Sequence, residues 1–355
     1  MHFTKITTTT APAHPQHWSG GINSYLAAND ISCKSATPIA AGTSCYLWRL
    51  DGFEGGAQSG SAPAVLKCAD STPKFSDDAV SPARLAVEIR ALNSPVVAAA
   101  TRAEPSVRVP TVLRETANGL VMSWAGDVNL LEAFARSLPL DYADVGARIG
   151  RWLGHLQTAG VKTGPAGFDP VNPELGRFYN PGGYLDKLVE SAIPDPAESA
   201  AVLRSMRATQ SVRTLTAWDF RPMNTLLSSA AGPRPALYVV DWELAQFGEA
   251  AGDVAMWAVE AMVLEHKHGN RGMLDAFLRA YRANSGGIVD EAFEAKAGML
   301  TGLMLTYFMR IAPRLWGSTD DEVALWRRRA VEYLRAGANR DMKFLRSSEI
   351  GVLMG

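Results

Sequence analysis

TAWDFRPMNTLL (Thr216 to Leu227), followed after a Gly/Pro turn by ALYVVDWELAQFGEAAGDVA (Ala236 to Ala255), is the stretch that decides the reading of this chain. It puts Asp219 and Asn224 in a loop and ends an apolar run, Leu237 to Val240, at Asp241. Moving a phosphoryl group needs one carboxylate facing the acceptor hydroxyl and a further set of oxygen ligands for magnesium. Asp219 offers the first, and Asn224 with Asp241 the second. The Asp-x-x-x-x-Asn spacing is common by accident, so the context carries the weight. Thr225-Leu226-Leu227 starts a strand, Ala230 to Pro235 is a turn cluster, and Leu237 to Val240 is rich in strand formers. Two strands joined by a turn bring the three polar residues to one mouth. The plainer alternative makes Asp219 and Asn224 turn formers and Asp241 a cap at a strand end.

Working outward, Arg221 stands two residues after Asp219. It either aims into the same mouth, where its charge meets a γ-phosphate, or lies on the surface. Glu243, two after Asp241, faces the same way if the strand stays extended and adds a carboxylate for metal. Asp253 heads an apolar helix and reads as its N-cap.

Upstream the order is strand, strand, strand, helix, strand, strand: Ser35 to Ile39, Cys45 to Leu50, Ala64 to Ala69, a helix opened by Ser81-Pro82 and running to Leu92, then Arg108 to Arg114 and Gly119 to Trp124. A short helix, with Ile22, Tyr25 and Leu26 on one face, precedes them. After Ala125-Gly126-Asp127 helical periodicity dominates, from Leu130 to Ala336. The fold class is therefore α+β, with a small antiparallel sheet lobe carrying one principal helix and a larger, mainly helical lobe. The expected divisions are a flexible leader over 1–17, a first lobe over 18–124 and a second over 125–355.

In the first lobe Gly42, Thr43 and Ser44 form a small-residue hairpin tip whose amides and hydroxyls suit phosphate oxygens, or form a plain turn. Lys67, mid-strand in Ala64-Val65-Leu66-Lys67-Cys68, either reaches solvent or faces the α/β-phosphates. In the second case an acid must orient it, and Glu88 is the only one inside the following helix, unless it pairs with Arg84 at the surface. Ser123 and Ala125, where the first lobe ends, could offer backbone groups to a nucleobase or simply form a linker.

Composition sets the outer bounds. The chain has 355 residues, 47% hydrophobic and 20% charged, with a formal net charge of -1, which leaves no basic stripe for nucleic acid. No apolar run reaches membrane-spanning length; the greasiest, Met299 to Ala312, is broken by Thr306 and Arg310. Cys33, Cys45 and Cys68 lack metal-ligand spacing and predict reduced thiols. The Thr/Ala/Pro-rich start resembles no targeting segment, so a cytoplasmic protein is expected. His residues form no metal or Ser-His-Asp cluster. The helical part is rich in tryptophan (Trp152, Trp242, Trp257, Trp316, Trp326). With Glu243, Glu260 and Glu265 these would suit a flat or cationic acceptor, or be core.

From about Thr37 to Val259, and most specifically over Trp218 to Val254, the sequence resembles the aminoglycoside phosphotransferase, choline kinase and methylthioribose kinase-like superfamily. That resemblance implies a bilobal protein-kinase-like fold, ATP and Mg2+ as co-substrate and cofactor, and a small-molecule hydroxyl as acceptor. It makes Asp219 the base or orienter of that hydroxyl and Asn224 and Asp241 the magnesium ligands. Lys67 with Glu88 would hold the α/β-phosphates under Gly42, Thr43 and Ser44. Asp241-Trp242-Glu243 resembles the D-x-E of the methylthioribose kinase branch. One departure stands out: Ala217-Trp218 occupy the place of the usual His-Gly. It keeps open a second reading, a catalytically impaired pseudokinase that uses the fold to bind nucleotide or a partner.

Overall fold

A computed structural model describes residues 21–40, 45–55, 63–70, 81–116, 118–165, 168, 178–228 and 234–354. The chain divides into two compact units, one made of residues up to Ser94 with Val109–Gly126, the other of Pro95–Arg108 with Asp127–Gly355.

The smaller unit is a five-stranded antiparallel sheet in the order β1-β2-β3-β6-β5, built from β1 (Ser35–Ile39), β2 (Tyr46–Asp51), β3 (Ala64–Cys68), β5 (Val112–Thr116) and β6 (Gly119–Ser123). Alternation along β2 buries Tyr46, Trp48 and Leu50 on one face, where they join Leu66, Cys68, Val121 and Leu26 of the helix Gly21–Ala28. The opposite face is covered by the helix Arg84–Leu92, which packs Leu85 and Ile89 against Val65, Leu120 and Met122. Each such side chain taken fully from water contributes about 1.5–3 kcal/mol. Helix Arg84–Leu92 starts later than Ser81-Pro82 predicts. Ser81 instead closes a preceding turn, its carbonyl accepting from the Arg84 amide at 3.2 Å and its hydroxyl from the Ala83 amide at 3.3 Å.

The larger unit also claims the helix Pro95–Ala103 and β4 (Val107–Arg108), which precede β5 in the chain. Trp152 Nε1 donates to Thr101 Oγ1 at 3.3 Å, and Arg151 pairs with Glu104 at 2.7 Å. The sequence reading passed over this helix, although Ser94-Pro95 is a start signal. The long helices form where periodicity predicts them, among them Tyr142–Thr163, Ala251–His268, Met273–Asn284, Glu291–Phe308 and Asp320–Asn339. Side-chain caps from Asp141, Asp290 and Thr319 start three of these.

Glycines let Tyr142–Thr163 serve as the central post. A Cβ on Gly146 or Gly150 would meet the Met273 or Phe277 carbonyl oxygen at 2.1 or 2.2 Å, and one on Gly160 would meet Thr214 Oγ1 at 2.1 Å. The helix therefore presses directly on Met273–Asn284 and on β8 (Arg213–Thr216), where Thr214 Oγ1 donates to the Gln157 carbonyl at 2.8 Å. β8 pairs with β11 (Gln246–Glu249), and β4-β10-β9-β7 form a second small sheet with β7 (Val128–Asn129), β9 (Thr225–Leu227) and β10 (Leu237–Val239). Among the described residues no helix is long and apolar enough to cross a membrane.

Candidate active site

In the smaller unit the pleat decides where Lys67 points. Leu66 and Cys68 join the Trp48 cluster, so Val65 and Lys67 fall on the face covered by Arg84–Leu92. There Lys67 Nζ meets Glu88 Oε2 at 2.7 Å, with the residues 5% and 1% exposed. The surface readings of both residues fall away, because β3 is internal to the sheet and Arg84 is buried, its Nη2 3.6 Å from Cys45 Sγ. Removing one partner of such a pair strands a buried charge at a cost of about 3–5 kcal/mol, whereas replacing both with apolar groups is often neutral. Lys67→Ala should therefore be strongly destabilised in urea, and the double variant Lys67→Met with Glu88→Leu should recover most of the loss. Equal destabilisation of the two variants would contradict this assignment.

Gly42, Thr43 and Ser44 lie outside the described residues. Ser123 ends β6, its amide donating to the Thr111 carbonyl and its hydroxyl accepting from the Thr111 amide, both at 2.9 Å. Ala125 follows, buried.

In the larger unit the register of one hairpin assembles the loop residues. Thr225 sits opposite Val239, and the Val240 amide donates to the Asn224 carbonyl at 3.0 Å. Asn224 therefore lies level with Val240, next to Asp241. On the other side, Thr216 of β8 sits opposite Gln246, and the chain leaves that ladder through Ala217 and Trp218. Asn224 Nδ2 donates to Asp219 Oδ2 at 2.8 Å and to the Asp219 carbonyl at 2.9 Å. Arg221 Nε pairs with Asp219 Oδ1 at 2.9 Å. With its NH2 spent on Asp219, the Asn224 amide oxygen is the atom left to act as a ligand. The Asp219 side chain retains 23% exposure.

Arg221 is neither a surface residue nor an open anion clamp. Its guanidinium lies 5.3 Å over the Phe308 ring, 2.9 Å from Asp219 and 3.7 Å from Glu260. Burial alone would lower its pKa; the charges of Asp219, Glu260 and, more weakly, Asp241 reverse that and raise it. Its ion pair holds one oxygen of the Asp219 carboxylate.

Two acids hold this loop from beneath. Asp253 does not cap its own helix, which begins at Ala251 with Ala250 as N-cap. Its carboxylate accepts the amides of Ala217 and Trp218 at 3.1 and 2.8 Å. It thereby fixes Trp218 at φ 67°, a left-handed conformation costly for a bulky residue. The fully buried Glu260 accepts from the Met223 amide at 2.7 Å and from Trp316 Nε1 at 3.2 Å. Burial raises its pKa, against the pull of Arg221. Glu265 accepts from the Met273 amide at 2.7 Å. Neither Glu260 nor Glu265 is open to an amine, contrary to expectation, since both carboxylates are committed to holding backbone.

Burial pushes the Asp253 carboxyl from its ordinary 3.8 to about 7, against the two amides that favour its ionised form. The folded chain then keeps a proton that the unfolded chain loses near pH 4, so stability present at low pH is lost as pH rises toward about 7. In wild type the urea midpoint should fall between about pH 5 and about pH 7.5, and Asp253→Asn should shrink that fall. An equal fall in the variant would show that Asp253 does not titrate there.

Glu243 departs from the expected alternation. Asp241 adopts φ 67° and the Ala245 amide donates to the Trp242 carbonyl at 2.9 Å, so the chain turns instead of staying extended. Glu243 is buried, at 6% exposure, yet its carboxylate lies within 4.8 Å of that of Asp241, so the expected juxtaposition of the two acids is present, reached through a turn and not along an extended strand. The five tryptophans named above are all buried and form core; Trp152, for example, stacks on Phe220 and meets Trp242 edge-on. Sequence reasoning missed Phe178, Tyr179 and Tyr184, whose rings gather about Trp218 and about one another. No periodic pattern marks them.

A search among curated proteins finds no match to the sequence. Among solved structures the chain is similar to the aminoglycoside phosphotransferase APH(2'')-Ib with ADP bound, at 11% identity over 88% of this chain and 98% of that one, TM-score 0.51. It is similar to APH(2")-IIia in complex with GDP and kanamycin, at 15% identity over 90% and 98%, TM-score 0.52. It is also similar to APH(2")-IIa in complex with gentamicin, at 12% identity over 94% and 98%, TM-score 0.52. At these identities the likeness is one of fold: the α+β fold that the element order predicts, of the protein-kinase-like kind that the resemblance implies. A family model described as "Phosphotransferase enzyme family" matches residues 74–292, more than half the chain and all of the Asp219–Asp253 region, and the chain belongs to that family.

Proposed function

We propose that the protein transfers the γ-phosphate of a magnesium-bound nucleotide, ATP, to a hydroxyl of a small molecule. The observation that carries this reading is the Asp219 carboxylate, part-exposed and held by Arg221 on one oxygen and Asn224 on the other, with Asp241 next to the residue that the hairpin register sets opposite Asn224. Asp219 orients the acceptor hydroxyl and takes its proton late in the transfer, since phosphoryl transfer depends mostly on positioning and electrostatics. The Asn224 amide oxygen and the Asp241 carboxylate are hard oxygen ligands of the kind Mg2+ requires, and Glu243 is a third candidate. The ion would neutralise charge on the β- and γ-phosphates. Lys67, oriented by Glu88, holds the α/β-phosphates as a point charge. Gly42, Thr43 and Ser44 cover the phosphates, and the backbone at Ser123 and Ala125 receives the base.

The pseudokinase alternative drew its force from Ala217-Trp218. What speaks for an ordered loop despite that departure is Asp253, which accepts both amides of the pair. The Asp219 loop is braced by the buried groups of Asp253 and Glu260. A melting assay with ATP, with and without Mg2+, tests the reading. Stabilisation by ATP that requires Mg2+ is expected, and no stabilisation under either condition would contradict it.

A further inference from the structure

Four aromatic rings of the larger unit form an arc that begins and ends at Asp219. Trp218, immediately before it, lies 5.7 Å from Phe178; Phe178 lies 5.8 Å from Tyr184; and Tyr184 lies 6.1 Å from Tyr307. Tyr307 returns to the start: its hydroxyl feels the charges of Arg221 and Asp219, and the next residue, Phe308, carries the Arg221 guanidinium on its ring. Phe178, Tyr184 and Tyr307 keep part of their surface open, unlike the core tryptophans.

The charges around this arc are mostly spent. Asp186 is held by Arg207 and by the Gly182 amide, Glu249 by Lys296, and Glu260 by Arg221 and its two hydrogen bonds. One cation stands out. Arg310 is exposed, lies 5.8 Å from the Tyr184 ring centroid and donates to the Tyr184 hydroxyl at 3.2 Å. Among the described residues it pairs with no carboxylate. An aromatic arc by itself would suit a cationic acceptor, but here a protein cation already sits on its rim, where it repels an ammonium and attracts an anion.

We propose that the acceptor is a flat hydroxyl compound bearing an anionic group, with its ring along Tyr184 and Tyr307, its anion on Arg310 and its hydroxyl toward Asp219. This rests on the phosphotransferase reading above and deepens it. The acceptor oxygen bonds to the γ-phosphorus as the bond from that phosphorus to the β,γ-bridging oxygen breaks. ADP leaves with the electron pair, and the hydroxyl proton passes to Asp219 and then to water.

Three matched probes test it: para-(hydroxymethyl)benzoate, para-benzenedimethanol and para-(hydroxymethyl)benzylamine, titrated into the full chain with Mg2+ and a non-hydrolysable ATP analogue. The benzoate should bind best and the amine worst, with roughly a tenfold or larger gap between them. Arg310→Gln should reduce the benzoate to the level of the neutral diol. No binding of the benzoate, an amine bound as well or better, or an unchanged preference in Arg310→Gln would overturn the proposal. The Mg-ATP melting shift of wild type separates the two levels. A normal shift without benzoate preference sinks the acceptor class alone, and benzoate preference without a nucleotide shift sinks the phosphotransferase reading and, with it, the acceptor role, leaving only an anion site at Arg310.

Discussion

Asp219→Asn should lower the rate of phosphoryl transfer by about 10²-fold or more, the usual scale for a positioned acid or base. The replacement is nearly isosteric, so the loop should keep its shape: an asparagine oxygen can still accept from Asn224 or from Arg221. It loses the charge and the proton acceptor, and with them the force that aims the acceptor hydroxyl. Binding of ATP should change little, because in the proposed mechanism the carboxylate would serve the acceptor, while Lys67 and the magnesium held by Asn224 and Asp241 would serve the phosphates. Steady-state rates beside a nucleotide titration check both halves. A variant that matches wild-type turnover would make Asp219 a structural residue.

Asp241→Asn should abolish most of the magnesium-dependent stabilisation by ATP. Asparagine tolerates the left-handed backbone that Asp241 adopts, with φ 67°, so this variant removes the charge without straining the turn, as alanine would. A ligand at about a hundred times its dissociation constant stabilises the folded state by about 2.7 kcal/mol, which reads as a melting shift of several degrees. Loss of the anionic ligand weakens the metal and should reduce that shift to near zero, with the melting temperature of the free protein little changed. An undiminished shift would remove Asp241 from the metal site.

What the sequence made legible was whatever local periodicity encodes. Helical spacing located the long helices of the larger unit, and turn chemistry between Leu227 and Leu237 located the hairpin that brings Asn224 opposite Val240, next to Asp241. Strand formers placed Lys67 within β3, and chain order placed a helix with one acid after it, but whether Lys67 faced that helix or solvent stayed open. Direction could not be read where the chain stops being periodic. Glu243 was expected to reach the side of Asp241 along an extended strand; it does come within 4.8 Å of Asp241, but through the left-handed turn at Asp241.

Long-range commitments of side chains to backbone were also hidden. Asp253 looks like a helix cap in sequence, yet it bonds amides 35 and 36 residues upstream. Glu260 looks like a free acid on a helix, yet it holds the Met223 amide. Tryptophan content likewise cannot separate core from pocket wall: Trp242 and Trp257 are fully buried, while the arc about Asp219 is built mainly from Phe178, Tyr184 and Tyr307. Those three come from two distant segments that only tertiary packing unites.

The most direct test follows the phosphorus itself. Wild type and Asp219→Asn are incubated with Mg2+, ATP labelled at the γ-phosphate and a library of small hydroxyl compounds, and the label is followed by chromatography. Label should appear in an organic phosphate with wild type, at a rate that falls by about 10²-fold or more in Asp219→Asn. Label that remains in ATP, or that appears only as inorganic phosphate with every acceptor offered, would contradict the assignment of this chain as a small-molecule phosphotransferase.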